Sequence, residues 1–461
     1  MQAFSLHNDD SASVSWRALM RIAIPMMAGS AVRYFADLSN FFWTAKLGLR
    51  ELSIASALSY FLWIPQSLVV LTTVGTASFV ARQRGAGDLH SAAKLGLLTT
   101  RFALFLGVAT ALVALACRDT VFAFCNIPRA AWGEASLYFA LQLCALPVAF
   151  TENTVSSALV GLDDPTGSFT VNVIGMTVAF ILTPVMIFPM HMGLSGAAVA
   201  PMVGYSCGTL YGLLRGRRFI GAEAWDLRLL LRPLRFARVR FFFPVFKVGV
   251  PLMVDALYYG AISFAMISLG SRFGEIYVAG FATDEKVAFA LNLPAEGLAR
   301  ASVVLVGFHL GRQDSAAAKL AFGKALVLTL GVALLGVVCV NLFAHQIVGL
   351  FSNKEEYVRV ASVILRISSI GIIFLGLREV TDACFGGVGN TIPSLVVGLV
   401  SALARLPLAY FLAYNLHLGG YGISWSFTLT LVAQGVILPI WFLASFNAYA
   451  RRPVAMPSSQ G

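Results

Sequence analysis

Long apolar runs limit how this chain can fold more than any other feature. Twelve runs each hold about 20 or more mostly apolar residues, the length that an α-helix needs to cross a bilayer. They lie near 16–47, 51–80, 95–117, 132–160, 166–189, 194–214, 241–270, 275–308, 320–350, 356–386, 392–415 and 421–447. Hydrophobic residues make up 58% of the chain and charged residues 12%, against about 25% charged in soluble domains. The sequence therefore predicts an all-α membrane protein.

The second half of the chain repeats landmarks of the first at a displacement of about 226 positions. RIAIP at Arg21–Pro25 recurs as KVGVP at Lys247–Pro251, and the loop pattern at 77–94 recurs at 301–319 with a two-residue slip. Four glycines meet glycines at this displacement: Gly85 and Gly311, Gly161 and Gly387, Gly193 and Gly419, Gly196 and Gly422. A shared proline, a shared loop and a single displacement indicate an internal duplication.

Two copies of six spans define the predicted architecture. Six crossings return the chain to the side on which it began, so both copies have the same orientation and are related by an axis along the membrane normal. The predicted fold is twelve transmembrane helices in two parallel six-helix repeats around a central cleft. The divisions are a tail at 1–15, an N-lobe at 16–215, a basic linker at 216–240, a C-lobe at 241–447 and a tail at 448–461.

The distribution of Lys and Arg predicts the orientation. The basic side chains that mark one side are Arg82, Arg84, Lys94, Arg312, Lys319, Lys324, Arg451, Arg452 and eight arginines of the region 215–240. Cytoplasmic loops carry such an excess, so both termini and the linker are predicted to be cytoplasmic and the protein a multi-pass protein of the inner (plasma) membrane. Residues 1–15 contain no Lys or Arg, so we expect the first span to be retained rather than cleaved as a signal peptide.

The net charge of +11 also suggests a nucleic-acid partner. Aromatic interleaving of the kind that nucleic-acid binding uses does not accompany the linker arginines, so none is predicted. The stretch LRLLLRPLRFARVRFFF at 227–243 is instead typical of an amphipathic segment at the anionic inner leaflet.

Residues that would indicate an enzyme or a metal site are scattered. The six cysteines include no CxxC and are expected to be small core residues rather than disulfides or metal ligands. The six histidines fall at the tail or near span ends. Catalysis inside a membrane calls for clustered His, metal ligands or acids, so an intramembrane enzyme is the least favoured interpretation, and the duplicated lobes favour a carrier over a channel.

Several motifs carry a resemblance to a known family. RQRGAGDLHSAAK, GLDDP, GVGNTIP and MGLSGAAVA, together with the twofold layout over about 16–447, resemble the multidrug and toxic compound extrusion (MATE) family. The resemblance implies an antiporter that expels organic, often cationic or amphipathic compounds by alternating access. Its coupling ion would be H+ or Na+ with no other cofactor, and its partners a small organic substrate and the lipid bilayer, with the chain acting as a monomer.

A lipid-linked precursor flippase of the same wider superfamily is the alternative. Such flippases often have fourteen spans and strongly cationic cavities. Here Arg33 and Arg378 are the only obvious central cations, so the sequence favours the exporter.

Eight acids lie inside the predicted spans, where ionisable residues are costly and mark ion or substrate paths. They are Asp37, Glu152, Asp255, Asp284, Glu285, Glu296, Glu379 and Asp382. Some of them have a basic residue one helical turn away, which is the spacing of a simple ion pair. These pairs are Arg33 with Asp37, Glu296 with Arg300, and Arg378 with Asp382.

The first lobe departs from the family pattern at its acids. In many members the first span ends with a pattern whose Asp takes the coupling proton, and LSNFFWTAKLG places Asn40 there. Asp37 lies one turn earlier on the same face. On the fifth span, Ala179 and Thr183 stand where such members carry an Asn and an Asp. Either Asp37 acts alone beside Arg33, or coupling takes place in the second lobe.

The second lobe offers further candidates. Sodium-coupled relatives carry acids in the seventh and tenth spans. The seventh span has Asp255 in VPLMVDALYYG, although the resemblance places the family's acid one turn later, at Tyr259, and the tenth span has Glu379 and Asp382 in LREVTDACFGG. The predicted ion-coupling residues are Asp37, Asp255, Glu379 and Asp382. The predicted cavity residues are Arg33, Asn40, Glu152, Asn153, Asn172 and Tyr259.

Overall fold

The structure, a computed structural model, describes residues 14–124, 129, 132–221, 223, 225–231, 239–351 and 354–450. The predicted tails and linker therefore lie partly outside the described residues. The described part of the chain is helical and contains no β-strand, which confirms the predicted all-α class.

Helices occupy all of the twelve predicted runs. Their bounds are α1 (Trp16–Ala45), α2 (Leu49–Ser67), α3 (Val70–Gly85), α4 (Leu89–Ala116), α5 (Arg118–Phe124), α6 (Trp132–Gly161), α7 (Pro165–Ile187), α8 (Leu194–Ile220), α9 (Arg228–Leu231), α10 (Val239–Gly270), α11 (Glu275–Gly311), α12 (Ser315–Gly349), α13 (Glu355–Val388), α14 (Ile392–Tyr410) and α15 (Tyr421–Ala450). A 3-10 turn at Ser271–Phe273 follows α10, and a π-helix at Phe411–Asn415 extends α14.

The second predicted span is divided between α2 and α3. Pro65 lies in the last turn of α2. Proline has no backbone N–H and interrupts the helical hydrogen-bond ladder. The N–H of Leu68 donates to the carbonyl oxygen of Pro65 at 3.3 Å, which closes a tighter turn before α3 begins.

The long helices suit a lipid environment. Among the described residues, 11 helical stretches are long and apolar enough to cross a membrane. The other long helix, α1, has 30 residues and carries Arg33 and Asp37. Large apolar side chains are left uncovered by protein, among them Val113 at 66% and Leu335 at 65% exposure. Such faces favour contact with lipid chains over water.

The backbone confirms the internal duplication. Five positions with positive φ in the first half have partners with positive φ about 226 positions later. The pairs are Gly48 and Gly274, Gly87 and Gln313, Asp163 and Gly389, His191 and His417, and Gly193 and Gly419. Positive φ is uncommon outside glycine, so its recurrence at non-glycine positions shows that the loops of both repeats follow the same path.

The described helices form two compact units. The N-unit is made of residues from 28 to 253, and the C-unit is made of residues up to 27 and from 254 to 450. Their bounds differ from those of the predicted lobes, because the unit boundaries fall inside α1 and inside α10.

Glycines explain this assignment of the first turns of α1 and α10. A Cβ on Gly297 of α11 would lie 2.9 Å from the Ala23 carbonyl oxygen of α1, and a Cβ on Gly249 of α10 would lie 2.5 Å from the Leu71 carbonyl oxygen of α3. The missing side chains let these backbones approach closely, as small residues do at helix contacts in membranes. The start of α1 therefore packs within the C-unit, and the start of α10 within the N-unit.

Asp88 caps the N-terminus of α4 and gives a testable pH effect. Its carboxylate accepts a hydrogen bond from the Ser91 N–H at 2.9 Å. This interaction with Ser91 holds the pKa of Asp88 below its ordinary value. Since the pKa is lower in the folded state than in the unfolded state, the stabilisation is present above the unfolded-state pKa and is lost as pH falls through the folded-state value.

Asp88→Ala is expected to lower the free energy of unfolding at neutral pH by about 1 kcal/mol, the usual contribution of an N-cap. Thermal unfolding of the detergent-solubilised protein measures this change. Asp88→Asn is the matched control. Its side chain keeps an oxygen that can cap the helix, but it cannot be protonated, so the loss of stability at low pH is removed. Equal melting temperatures for the wild type and Asp88→Ala would contradict a stabilising cap.

Candidate functional site

Two clusters of polar side chains, one in each unit, contain most of the predicted site residues. We call them the N-cluster (Arg33, Glu152, Ser156, Ser168 and Asn172) and the C-cluster (Asp255, Tyr258, Asn292, Arg378, Glu379 and Asp382). Each cluster joins side chains from helices that are far apart in the sequence.

The N-cluster is centred on a fully buried carboxyl group. Glu152 on α6 has an exposed fraction of 0%, and the Nη2 atom of Arg33 on α1 lies 3.7 Å from its Oε2. Arg33 donates a shorter hydrogen bond, 2.5 Å, to Oδ1 of Asn172 on α7. The i,i+4 spacing indicated Asp37 as the partner of Arg33, and the guanidinium also acts electrostatically on that carboxyl.

The remaining N-cluster contacts hold α6 and α7 together. The Asn172 amide donates to the Ser168 carbonyl oxygen at 3.0 Å and to the Ser156 hydroxyl at 3.4 Å. The hydroxyls of Ser156 and Ser168 are 2.5 Å apart. Buried polar groups that bond one another in this way specify one arrangement of their helices.

Three further candidates of the N-unit lie outside the N-cluster contacts. Asp37 on α1 is exposed, and the charge of Arg33 one turn away acts on its carboxyl. The Asn40 amide donates to the Ala197 carbonyl oxygen at 3.0 Å and so connects α1 with α8. The Asn153 amide donates at 2.8 Å to the Ala149 carbonyl oxygen of its own helix. Both asparagines therefore have structural hydrogen bonds.

The C-cluster is centred on a buried guanidinium group. Nη2 of Arg378 on α13 donates to both carboxylate oxygens of Asp255 on α10, at 2.7 and 2.8 Å. Its Nε donates to Asp382 at 3.2 Å, so the i,i+4 pair predicted from the sequence is present. Tyr258 donates to Asp255 as well. No cation lies one turn from Asp255 on its own helix, and the structure supplies one from α13.

Glu379 adds a third carboxyl group beside Arg378. One of its oxygens accepts a hydrogen bond from Asn292 on α11 at 2.8 Å, and the other has no hydrogen-bond partner among the described residues. The charges of Glu296, Arg378 and Asp382 act on Glu379. The C-cluster thus contains three carboxyl groups and one guanidinium group, and two of the carboxyls, those of Asp255 and Asp382, contact the guanidinium directly.

Arg405 is a central cation that the sequence analysis missed, so Arg33 and Arg378 are not the only ones. Its side chain on α14 is 2% exposed, and its Nε donates to the Thr430 hydroxyl at 2.9 Å. The guanidinium carbon lies 4.4 Å from the ring centre of Phe427. Tyr259 is 42% exposed, and the charges of Arg405 and Arg378 act on its phenol. An arginine inside the apolar run 392–415 was the signal available for finding it.

Two other acidic residues in the spans of the C-unit, Asp284 and Glu296, have partners. The Ser368 hydroxyl donates to Asp284. Arg300 and Glu296 form the predicted i,i+4 pair at 2.6 Å, with side chains 45% and 31% exposed.

The cysteines differ from their predicted core placement. Five cysteines are described, all free, and Cys384 is buried whereas Cys117, Cys144 and Cys339 are exposed. Apolar runs of a membrane protein include faces that contact lipid, so an apolar context alone did not distinguish core from lipid-facing positions.

One family of known proteins matches both repeats of the chain. The MatE family model matches residues 25–185 and again residues 251–411, with the same displacement between the two matches as between the two repeats.

Relatives match along nearly the whole chain. The multidrug export protein MepA of Staphylococcus aureus (strain bovine RF122 / ET3-1) is 21% identical over 93% of this chain and 94% of its own length. The probable multidrug resistance protein NorM of Thermotoga maritima is 23% identical over 93% and 92%. Among solved structures, a MOP superfamily transporter from Pyrococcus furiosus, described as having a binding pocket of reversed polarity, superposes with a TM-score of 0.83 at 22% identity, covering 95% of this chain and 97% of that one. The chain therefore belongs to the MatE family, the multidrug and toxic compound extrusion transporters.

Proposed function

We propose that this protein is a secondary active antiporter that exports organic, drug-like cationic or amphipathic compounds by alternating access, with H+ or Na+ as the coupling ion. The curated relatives named as multidrug export and resistance proteins support this class of substrate. A small organic molecule and the bilayer are its partners, and it acts as a monomer in the inner membrane with both termini in the cytoplasm.

The excess of carboxyl groups in the C-cluster is the observation that carries the proposal. Asp255 and Asp382 pair with Arg378, and the charge of Arg378 also acts on Glu379, so full ionisation of the three acids leaves net negative charge away from water. Uncompensated charge in such a site is unfavourable. Binding of an exchangeable cation relieves it, and either a coupling ion or a cationic substrate can provide that charge.

A proton suits the C-cluster better than Na+. Arg378 already occupies both oxygens of Asp255 at hydrogen-bond distance, so a sodium ion that binds there has to displace a guanidinium group. A proton binds to a single oxygen, and Glu379 offers one without a partner among the described residues. We therefore assign proton coupling to the C-cluster, with Glu379 as the first group to exchange.

Transport into proteoliposomes tests this proposal. Purified protein is reconstituted, a pH gradient or a Na+ gradient is imposed, and ethidium movement is followed by fluorescence. The pH gradient is expected to drive ethidium movement, and Glu379→Gln is expected to reduce the rate at least tenfold, because its amide cannot exchange a proton.

Two variants serve as controls for this measurement. Asp119→Asn removes an exposed carboxyl that pairs with Arg118 and is expected to leave the rate unchanged. Asp37→Asn tests the N-unit alternative and is expected to retain most of the rate. Loss of pH-driven transport in Asp37→Asn together with a normal rate in Glu379→Gln would contradict the assignment to the C-cluster, and a Na+-driven rate alone would contradict proton coupling.

A lipid-linked precursor flippase is the second candidate. Buried Arg378 and Arg405 favour it, because guanidinium groups bind phosphate well. The Pyrococcus furiosus transporter, with its binding pocket of reversed polarity, is itself suggested to have a different function. Movement of a lipid-linked sugar across vesicles without any ion gradient, and no movement of ethidium, would select this candidate over the exporter.

A further inference from the structure

The fourth span of each repeat carries a charge at the matching position, with the sign exchanged, whereas the partners of these charges on the first span do not match. At the displacement of about 226 positions, Gly29 matches Asp255, Glu152 matches Arg378, and Asn172 matches Gly398. In each repeat the fourth span carries a charge that faces the opposite charge on the first span. These pairs are Glu152 with Arg33 and Arg378 with Asp255.

The two ion pairs differ in their geometry. Arg378 and Asp255 form two hydrogen bonds of 2.7 and 2.8 Å, as expected for an ionised carboxylate. Arg33 and Glu152 are 3.7 Å apart, which is too long for a hydrogen bond. Arg33 instead donates to the neutral amide of Asn172 at 2.5 Å. A carboxylate competes for a guanidinium group better than an amide oxygen does, so this geometry is the one expected of a protonated Glu152.

The surroundings of Glu152 also favour a neutral carboxyl. Its exposed fraction is 0%, and neither of its oxygens has a hydrogen-bond partner among the described residues. A Cβ on Gly175 of α7 or on Gly208 of α8 would lie 2.9 Å from Oε1 of Glu152, so the backbones of both helices pack closely around the carboxyl group. A buried carboxylate without donors is costly, and a proton removes that cost.

Arg33 and Tyr205 are the titratable groups that interact with Glu152 from neighbouring helices. Arg33 comes from α1 and Tyr205 from α8, and Asp37 acts on the same phenol. The α7 neighbour is the neutral Asn172.

Arginines also lie on the other helices packed on α6, and none of them is among the charges that act on Glu152. Arg82 of α3 is buried, and its Nη1 has no hydrogen-bond partner among the described residues. Arg84 of α3 pairs with Asp163 at 3.6 Å, and Arg101 of α4 donates to the Leu229 carbonyl oxygen at 3.0 Å. The charge state of Glu152 is therefore balanced chiefly by Arg33.

We infer that Glu152 is a second proton-binding site, located in the N-unit, and that Arg33 converts its charge state into a displacement of α1. Loss of the proton to water leaves a carboxylate that draws the guanidinium of Arg33 away from Asn172. Return of the proton restores the bond between Arg33 and Asn172. The part of this inference that concerns transport rests on the proposed function, whereas the proton site itself does not.

Infrared difference spectroscopy on the full-length protein in lipid nanodiscs tests the proton site without any transport. Spectra are recorded between an acidic and an alkaline buffer, and the C=O stretch of protonated carboxyl groups is followed. The wild type is expected to show a component that Glu152→Gln removes, with one proton fewer released per protein. Gln has the same shape as a protonated Glu, so this variant retains the fold.

Two comparisons make the result specific. Glu355→Gln, which changes an exposed acid at the start of α13, is expected to leave the Glu152 component unchanged. Arg33→Gln is expected to change the frequency or the pH range of the Glu152 component, because it removes the neighbouring charge. Identical spectra for the wild type and Glu152→Gln would overturn the proposal. A Glu152 component in a protein that moves no ethidium would instead contradict the proposed function and leave the proton site intact.

Discussion

Arg378→Met is expected to destabilise the C-unit by about 3–5 kcal/mol, the cost of removing one partner of a buried ion pair. The substitution keeps the side-chain length and leaves Asp255 and Asp382 without the guanidinium that both now contact. Ethidium transport is expected to be lost as well, because the repulsion between the carboxyl groups alters their exchange of protons. Thermal unfolding in detergent and the transport assay measure the two effects.

A control and a rescue distinguish this effect from a general loss of charge. Arg300→Met breaks the exposed pair with Glu296 and is expected to cost no more than about 1 kcal/mol, as surface pairs do. Arg378→Met combined with Asp255→Asn is expected to recover part of the stability but not the transport. A single variant Arg378→Met as stable as Arg300→Met would show that the C-cluster is not held by the guanidinium.

Gly204→Val is expected to abolish folding of the N-unit, and Gly204→Ala to destabilise it by about 1–3 kcal/mol, the usual range for overpacking. A Cβ at this position of α8 would lie 2.3 Å from the Gly175 carbonyl oxygen and 3.1 Å from the Ala179 Cβ on α7. The two backbones cannot both stay in place. Yield of monodisperse protein and thermal unfolding measure the result.

Gly331→Ala is the matched control, because this glycine also lies inside a long helix, α12, and nothing lies within 4 Å of its Cβ position. Ala is a better helix former than Gly by up to about 1 kcal/mol, so a small gain or no change in stability is expected. Equal effects of Gly204→Ala and Gly331→Ala would show that the contact between α7 and α8 is not close.

The spans and the duplication were predictable because their signals are local or periodic. Apolar run length indicated each long helix, and the recurrence of RIAIP as KVGVP indicated the second repeat. Partners of charged residues were harder, because they depend on packing between distant segments. Arg33 bonds Asn172, 139 positions away, and Arg378 bonds Asp255, 123 positions away. The i,i+4 rule therefore found Asp382 beside Arg378 and did not find these two.

The exchanged charges could have been read from the sequence by applying the displacement to polar residues as well as to glycines. It relates Glu152 to Arg378 directly. No sequence pattern indicates that the two ion pairs differ in N–O distance, which is 3.7 Å for Arg33 and Glu152 and 2.7 Å for Arg378 and Asp255. This difference follows from the hydrogen bond of Arg33 to Asn172 and from Gly175 and Gly208, which leave room for Glu152. Arg405 was missed because no acid lies one turn from it, although its place inside the apolar run 392–415 was a signal.

Proton movement driven by substrate tests the central claim most directly. Proteoliposomes loaded with a pH-sensitive dye receive an ethidium gradient at equal internal and external pH, with Na+ absent. If acids of the C-cluster exchange protons for substrate, the wild type will move protons against the direction of ethidium, and Glu379→Gln will move ethidium slowly with no change of internal pH. Ethidium movement by the wild type without any change of internal pH would contradict the claim.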